Sequence, residues 1–139
     1  MNIEKIEIGT CLIGCRTVGK TAFVNRLKDD QFHEHMKETA IPQFLNVLIT
    51  SQYNKYKLKI IDIPGNQIEC NHIFIEDNPL LLLFFDLVNF DSTFEPILKY
   101  LQLIKNNQRH DRTVILFGTK RDLINNVRKG FLNLVFLLT

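Results

Sequence analysis

Apolar and polar positions along this chain alternate between two periods. Residues 3–13 read as a strand, with Ile8, Leu12 and Ile13 running into a glycine. Over residues 20–30 (KTAFVNRLKDD), Phe23, Val24 and Leu27 share one face of a helix. Residues 31–43 are polar, contain Pro42 and have no period, which predicts a loop. Two strands follow, at roughly 44–51 and 57–63, and the polar QYNKY between them suits a hairpin. In the second strand Leu58 and Ile60 alternate with Lys57 and Lys59, as a strand with one wet face should. Residues 66–78 are mixed and read as a short helix.

The run LLLLFFD at 80–86 is apolar without interruption, the pattern of a parallel strand buried on both faces. The clearest helix spans 92–106, where Phe94, Ile97, Leu98, Leu101 and Ile104 line one side. Ser92 with Glu95 forms a capping-box pattern that predicts its start, and Pro96 then falls in the first turn, where no backbone N–H is missed. TVILFG at 113–118 is a second buried strand. Strands alternating with helices predict an α/β fold: a mostly parallel sheet with helices on both faces. In the tail, Ile124, Val127, Phe131, Leu134, Val135 and Leu138 have helical spacing, while FLNLVFLL could equally be an edge strand.

Composition narrows the class. The 139 residues are 45% apolar and 23% charged, which is globular and long enough for one domain with a core. A net charge of +2 points to neither a nucleic-acid nor a membrane partner, and no nucleic acid is expected among the partners. Three cysteines without metal-like spacing suit a reducing compartment better than a disulfide framework. The N-terminus carries charge where a signal peptide needs an apolar run, and no apolar stretch approaches the ~20 residues of a spanning helix. A cytoplasmic location is the expectation.

Three segments carry chemistry. Gly14-Cys15-Arg16-Thr17-Val18-Gly19-Lys20-Thr21 fits GxxxxGK[ST], between a predicted strand and a predicted helix. Such a loop wraps a phosphate chain with backbone N–H groups, and the positive end of the following helix points at the same anion. Lys20 would reach the β- and γ-phosphates, and the Thr21 hydroxyl would bind Mg²⁺. Asp62-Ile63-Pro64-Gly65 closes the third strand, placing a carboxylate where it can hold Mg²⁺ and a glycine N–H where it can meet a γ-phosphate. Thr119-Lys120-Arg121-Asp122 follows the fifth strand. There Asp122 could accept from the N1–H and 2-amino group of guanine, a donor pair adenine lacks, while the Lys120 stem covers the ring. Taken separately, DxxG is an ordinary strand-end turn and TKRD a solvated charged loop.

Together, in this order and at strand ends, the three motifs resemble the Ras superfamily of small GTPases over roughly residues 5–123. LKDDQFHEHMKETAIPQF looks most like the effector loop of the Rab branch, and KLKIIDIPG is similar to the Rab pattern before its DxxG. TKRD is the threonine version of NKxD, common in the Rho branch. The resemblance implies a P-loop NTPase three-layer α/β/α sandwich with a mostly parallel sheet and one antiparallel hairpin. It implies GTP and GDP as ligands with Mg²⁺. Thr21, Thr39 and Asp62 would hold the metal, and Gly14 through Thr21, Phe32, Thr39, Gly65, Thr119, Lys120 and Asp122 would contact the nucleotide. Lys20, Thr39 and Asn66 would serve hydrolysis. The two loops at 31–44 and 62–78 would order around the γ-phosphate and be read by effector, exchange-factor and activating proteins in vesicle transport.

The pattern departs from the family in three places. Asn66 stands where the family's glutamine orients the attacking water, one methylene short. Arg16 and Thr17 replace a small residue and a glycine; Arg16 would crowd the space where an activating arginine enters, or itself reach the phosphates. Slow hydrolysis is the expectation. Finally, residues 124–139 form an atypical apolar tail after an incomplete G domain at 1–123, with no SAK-like loop and no prenylation motif. The sheet is expected to lack the family's last strand and helix, and a truncated product would explain this. Met36 stands where many relatives carry a tyrosine that closes over the nucleotide, and His33, His35, His72 and His110 share no ligand spacing. The rival to a switch is a non-catalytic pseudo-GTPase or partial domain that acts only as an interaction protein. Another P-loop enzyme, such as a nucleotide kinase, is disfavoured by TKRD and by the Thr39 loop.

Overall fold

A computed structural model describes residues 5–29, 40–65, 72–107, 109–124 and 137–138. Strand β1 (Lys5–Gly14) leads through the glycine loop into α1 (Lys20–Asp29). Strands β2 (Gln43–Thr50) and β3 (Lys55–Asp62) form the hairpin, closed where the Ser51 amide donates to the Asn54 carbonyl at 2.9 Å. Then come α2 (His72–Asp77), β4 (Leu80–Asp86), α3 (Phe90–Asn106), β5 (Thr113–Thr119) and a 3₁₀ turn (Arg121–Leu123). β6 is the pair Leu137–Leu138.

The strands order as β2-β3-β1-β4-β5-β6. β1 runs parallel to both β3 and β4, and β4 parallel to β5, while β2 is antiparallel to β3. The sheet is therefore mostly parallel around one hairpin, as expected. The register matters for function: Leu12 pairs with Asp62, Gly14 with Phe84, and Asp86 with Thr119. The C-terminal ends of β1, β3, β4 and β5 consequently lie along one edge, where ligands bind in open α/β sheets.

Side-chain alternation divides the core into two layers. Cys11, Ile13, Leu81, Leu83, Phe85, Val114 and Leu116 point to one face, packed with Ile97 and Tyr100 of α3 and Ile75 of α2. Leu12, Leu82, Phe84, Leu58 and Ile60 point to the other, under Val24 of α1 and Val18 of the loop. This explains why LLLLFFD has no polar position until its last residue: both sides of β4 are covered. On β3, the wet lysines Lys57 and Lys59 both pair with Glu7 of β1.

The structure corrects the start of α3. The helix begins at Phe90, Asn89 precedes it without a side-chain cap, and Ser92 lies inside the first turn. The Ser92 hydroxyl donates to the Asn89 carbonyl at 3.2 Å instead of capping. The reason lies one strand earlier, where the Asp86 carboxylate accepts the Val88 and Asn89 amides at 2.8 and 3.3 Å. That local turn delivers the chain into helix before the Ser92 box can act. Pro96 accordingly sits in the second turn, not the first.

The mixed stretch at 66–78 is described from His72 onward, where α2 is short. Its last carbonyls are held from outside. Asn78 Nδ2 donates to Phe74 O at 2.6 Å, Arg112 to Ile75 O at 2.6 Å and Arg109 to Glu76 O at 2.8 Å. A six-residue helix needs such help, because so short a segment is marginal on its own.

Beyond β5, Leu137–Leu138 pair antiparallel with Val114 and Ile115. Of the two expectations for the tail, the described portion is edge strand. The expectation of a sheet ending at β5 thus acquires this short antiparallel addition.

Ile97 is fully buried and Leu98 half-exposed on the same helix. Ile97→Ala should cost about 3 kcal/mol in urea unfolding, against roughly 0.5 kcal/mol for Leu98→Ala. Equal losses would contradict the layer assignment.

Candidate functional site

The glycine loop curls at the end of β1. Thr17 and Gly19 both adopt left-handed backbone, at φ +58° and +99°. Alternation of this kind turns successive N–H groups toward one concavity, the geometry of an anion nest. Lys20, the first residue of α1, folds back over the loop: its Nζ donates to Gly14 O at 2.8 Å and to Cys15 O at 2.9 Å. Burial pushes the Lys20 ammonium below its usual pKa, while Asp62 and then the two nearby thiols pull it back up. A phosphate entering the nest would add negative charge beside this buried cation.

The second motif meets the first directly. The Thr21 hydroxyl donates to Asp62 Oδ2 across the ends of α1 and β3, and Asp62 is fully buried. Gly65 lies flat on the loop: a Cβ there would stand 2.2 Å from Arg16 N and 2.3 Å from Cys15 C. Only glycine permits that approach, which explains the residue type at the end of DxxG. Arg16 itself is exposed at the loop's mouth.

The third motif locks onto the same loop from β5. The Thr119 hydroxyl lies 2.6 Å from Val18 O and 3.0 Å from Phe85 O, bridging the glycine loop, β4 and β5. Lys120 takes left-handed backbone at φ +59°, and its Nζ pairs with Asp86 Oδ2 at 2.5 Å. Asp122 follows in the 3₁₀ turn and is exposed. Gly14, Cys15, Arg16, Thr17, Val18, Gly19, Lys20, Thr21, Asp62, Gly65, Thr119, Lys120 and Asp122 therefore occupy one edge of the sheet. Phe32, Thr39 and Asn66 lie outside the described residues, as do Met36, His33 and His35.

A model of the Ras family matches residues 10–130. The chain belongs to the Ras family. Among curated proteins, this Ras-family chain is similar to the Ras-related protein RabV of Dictyostelium discoideum, at 32% identity over 136 residues, 96% of the chain and 56% of the relative. It is 28% identical to the GTP-binding protein YPT53 of Saccharomyces cerevisiae, over 89% of the chain and 57% of the relative. Identity to human Ras-related protein Rab-37 is 30%, over 81% of the chain and 51% of the relative. These relatives make it a Rab-like member of the family. The chain spans about half the length of the curated relatives it matches.

Within this Rab-like site, sequence reasoning overlooked Asp86. It ends an apolar strand, and an acid closing such a run is the signal that could have found it. Burial pushes its carboxyl up, but the Lys120 ammonium and the Val88 and Asn89 amides outweigh that and hold it below the usual carboxylate range. Cys15 also makes a tertiary contact, its Sγ 4.0 Å from Thr93 O. Burial, with Asp62 beside it, pushes the Cys11 thiol up to about 12, which keeps it protonated at neutral pH.

Two outcomes follow from this geometry. Thr17 is β-branched in a conformation that suits glycine, so Thr17→Gly should raise unfolding stability by about 1 kcal/mol in urea titration. For Asp86, the folded pKa lies below the unfolded one of roughly 3.9, so its contribution is complete above that pH and fades as pH falls through the folded value. Wild type should exceed Asp86→Asn by about 2 kcal/mol at pH 7, with the gap closing in acid. A gap that widened on acidification would reverse the sign of the argument.

Proposed function

We propose that this Rab-like chain binds GTP and GDP with Mg²⁺ and acts as a switch in vesicle transport, with slow GTP hydrolysis. The observation that carries this reading is the contact between Thr21 and Asp62 beneath the nest closed by Lys20. A hydroxyl and a carboxylate side by side are the hard oxygen donors Mg²⁺ takes, alongside the substrate's own phosphates. Among the described residues no cluster of three or more His, Cys, Asp or Glu side chains could hold a metal.

In this reading the N–H groups of the 14–21 loop bind the phosphates, and Lys20 neutralises the β- and γ-oxygens. When bound, Mg²⁺ supplies charge neutralisation between these phosphates. Gly65, already against the loop, offers its N–H to the γ-phosphate, so that its presence or loss moves the 62–78 segment. Phe32 packs on the base and Asp122 reads its edge. Asn66 orients water less well than a longer amide, and Arg16 at the loop mouth obstructs an activating arginine.

Partner docking through the 31–44 and 62–78 segments is supported by apolar side chains left in solvent there. Ile41 and Phe44 are about 70% exposed, and the Phe44 ring meets Phe74 of α2 edge-on with centroids 6.3 Å apart. Family members of this kind work on the cytoplasmic side of endomembranes, and a cytoplasmic location is proposed for this chain. No helix among the described residues is long and apolar enough to cross a membrane.

The test is a titration of labelled GDP, GTP and ATP with Mg²⁺, followed by single-turnover phosphate release. Guanine-selective binding that weakens at least about 100-fold in Lys20→Ala is expected, with release slower than in an ordinary Rab. Preference for ATP, or no binding by the wild-type chain, would overturn the proposal. Release at the ordinary Rab rate would overturn its kinetic part alone.

A further inference from the structure

Asp86 stands outside all three motifs, yet it is 2% exposed and connects everything around the β5 end of the site. Its Oδ2 lies 2.5 Å from Lys120 Nζ and 3.2 Å from Asn89 Nδ2. Its Oδ1 accepts the Val88 and Asn89 amides. Its own amide donates to the Thr93 hydroxyl at 2.9 Å, which in turn donates to Asn89 O at 2.8 Å. The carboxylate therefore cannot swing: three backbone and side-chain donors of the β4–α3 turn hold it in place for Lys120.

Lys120 needs that hold. Its backbone is left-handed, and its side chain is about one-third exposed, so an unpaired ammonium would sample many rotamers in water. A buried ion pair is weak grounds for stability, because removing charges from water offsets most of their attraction. The pair's evident effect is geometric: it fixes a long, flexible stem before any ligand arrives.

We propose that Asp86 is a positioning residue for nucleotide binding, its carboxylate ordering the Lys120 stem that lies against the face of the base. This rests on reading 119–122 as the base-binding turn. Ordering a rotamer-rich side chain in the free protein removes that cost from the binding step. Because the stem meets the face of the ring and not its edge, the effect is blind to the 2-amino group that Asp122 reads.

The experiment measures release of fluorescent GDP and IDP from wild type, Asp86→Asn, Lys120→Met and the double variant, with urea unfolding in parallel. Each single change should speed release about tenfold, for GDP and IDP alike, and the double variant should be no faster than either single. Multiplicative acceleration in the double variant would overturn the proposal. So would a wild-type release rate in Asp86→Asn accompanied only by lower stability, which is the outcome of a merely structural carboxylate. Asp86→Ser takes the same place in the cycle if the asparagine variant does not fold. Failure of the wild-type chain to retain either nucleotide overturns the base-binding reading itself, and that control separates the two failures.

Discussion

A buried ammonium holds the functional edge of this molecule together. Lys20 is nearly removed from water at the first turn of α1, and an isolated cation there would be prohibitive. Two carbonyls of its own loop, from Gly14 and Cys15, accept its protons, and Asp62 supplies opposing charge nearby. The loop is thereby curled around the lysine. The same requirement draws β3 into the site, because the Asp62 that helps the lysine also receives the Thr21 hydroxyl.

The sheet makes this arrangement possible through register more than through any single contact. Parallel pairing of β1 with β3 and β4 ends each of the two neighbours within about two residues of the end of β1. Covering both faces with helices requires apolar side chains in both directions, which leaves the strand ends as the place where polar groups can collect. Thr10, Lys20, Asp62, Asp86 and Thr93 are all buried polar residues, and the last four cluster around that edge. Each of these four has a bonding partner drawn from another element, so the site and the core stabilise one another.

Two further features shape the site. The loop carries a strained threonine, Thr17, and an exposed arginine, Arg16. Strain of this sort persists only where surrounding contacts over-determine the backbone, and here Gly65 presses on the loop from one side and Thr119 from the other. At the opposite end of the site, Asp86 ties the start of α3 to the turn that follows β5. The polar edge is therefore a continuous structure from α1 to the 3₁₀ turn and not three separate motifs.

Much of this could be read from the order of residues. LLLLFFD and TVILFG declared two doubly covered strands, and the 14–21 loop declared its own helix, because burial and glycine spacing are local requirements that leave local marks. The candidate ligands at Lys20, Thr21, Asp62 and Gly65 were legible for the same reason. The start of α3 was not, because the Ser92 box is a good local signal that lost to side-chain bonds from Asp86, several residues upstream. Nor was the role of Asp86, since its partner Lys120 lies 34 positions away and meets it only when β4 and β5 pair. The tail was ambiguous for a related reason: its apolar residues fit a helix or an edge, and the open side of β5 decided for strand at Leu137–Leu138. Local sequence specifies which groups are available and the period they follow. Which of them meet is decided by strand register, because only pairing converts separation along the chain into proximity.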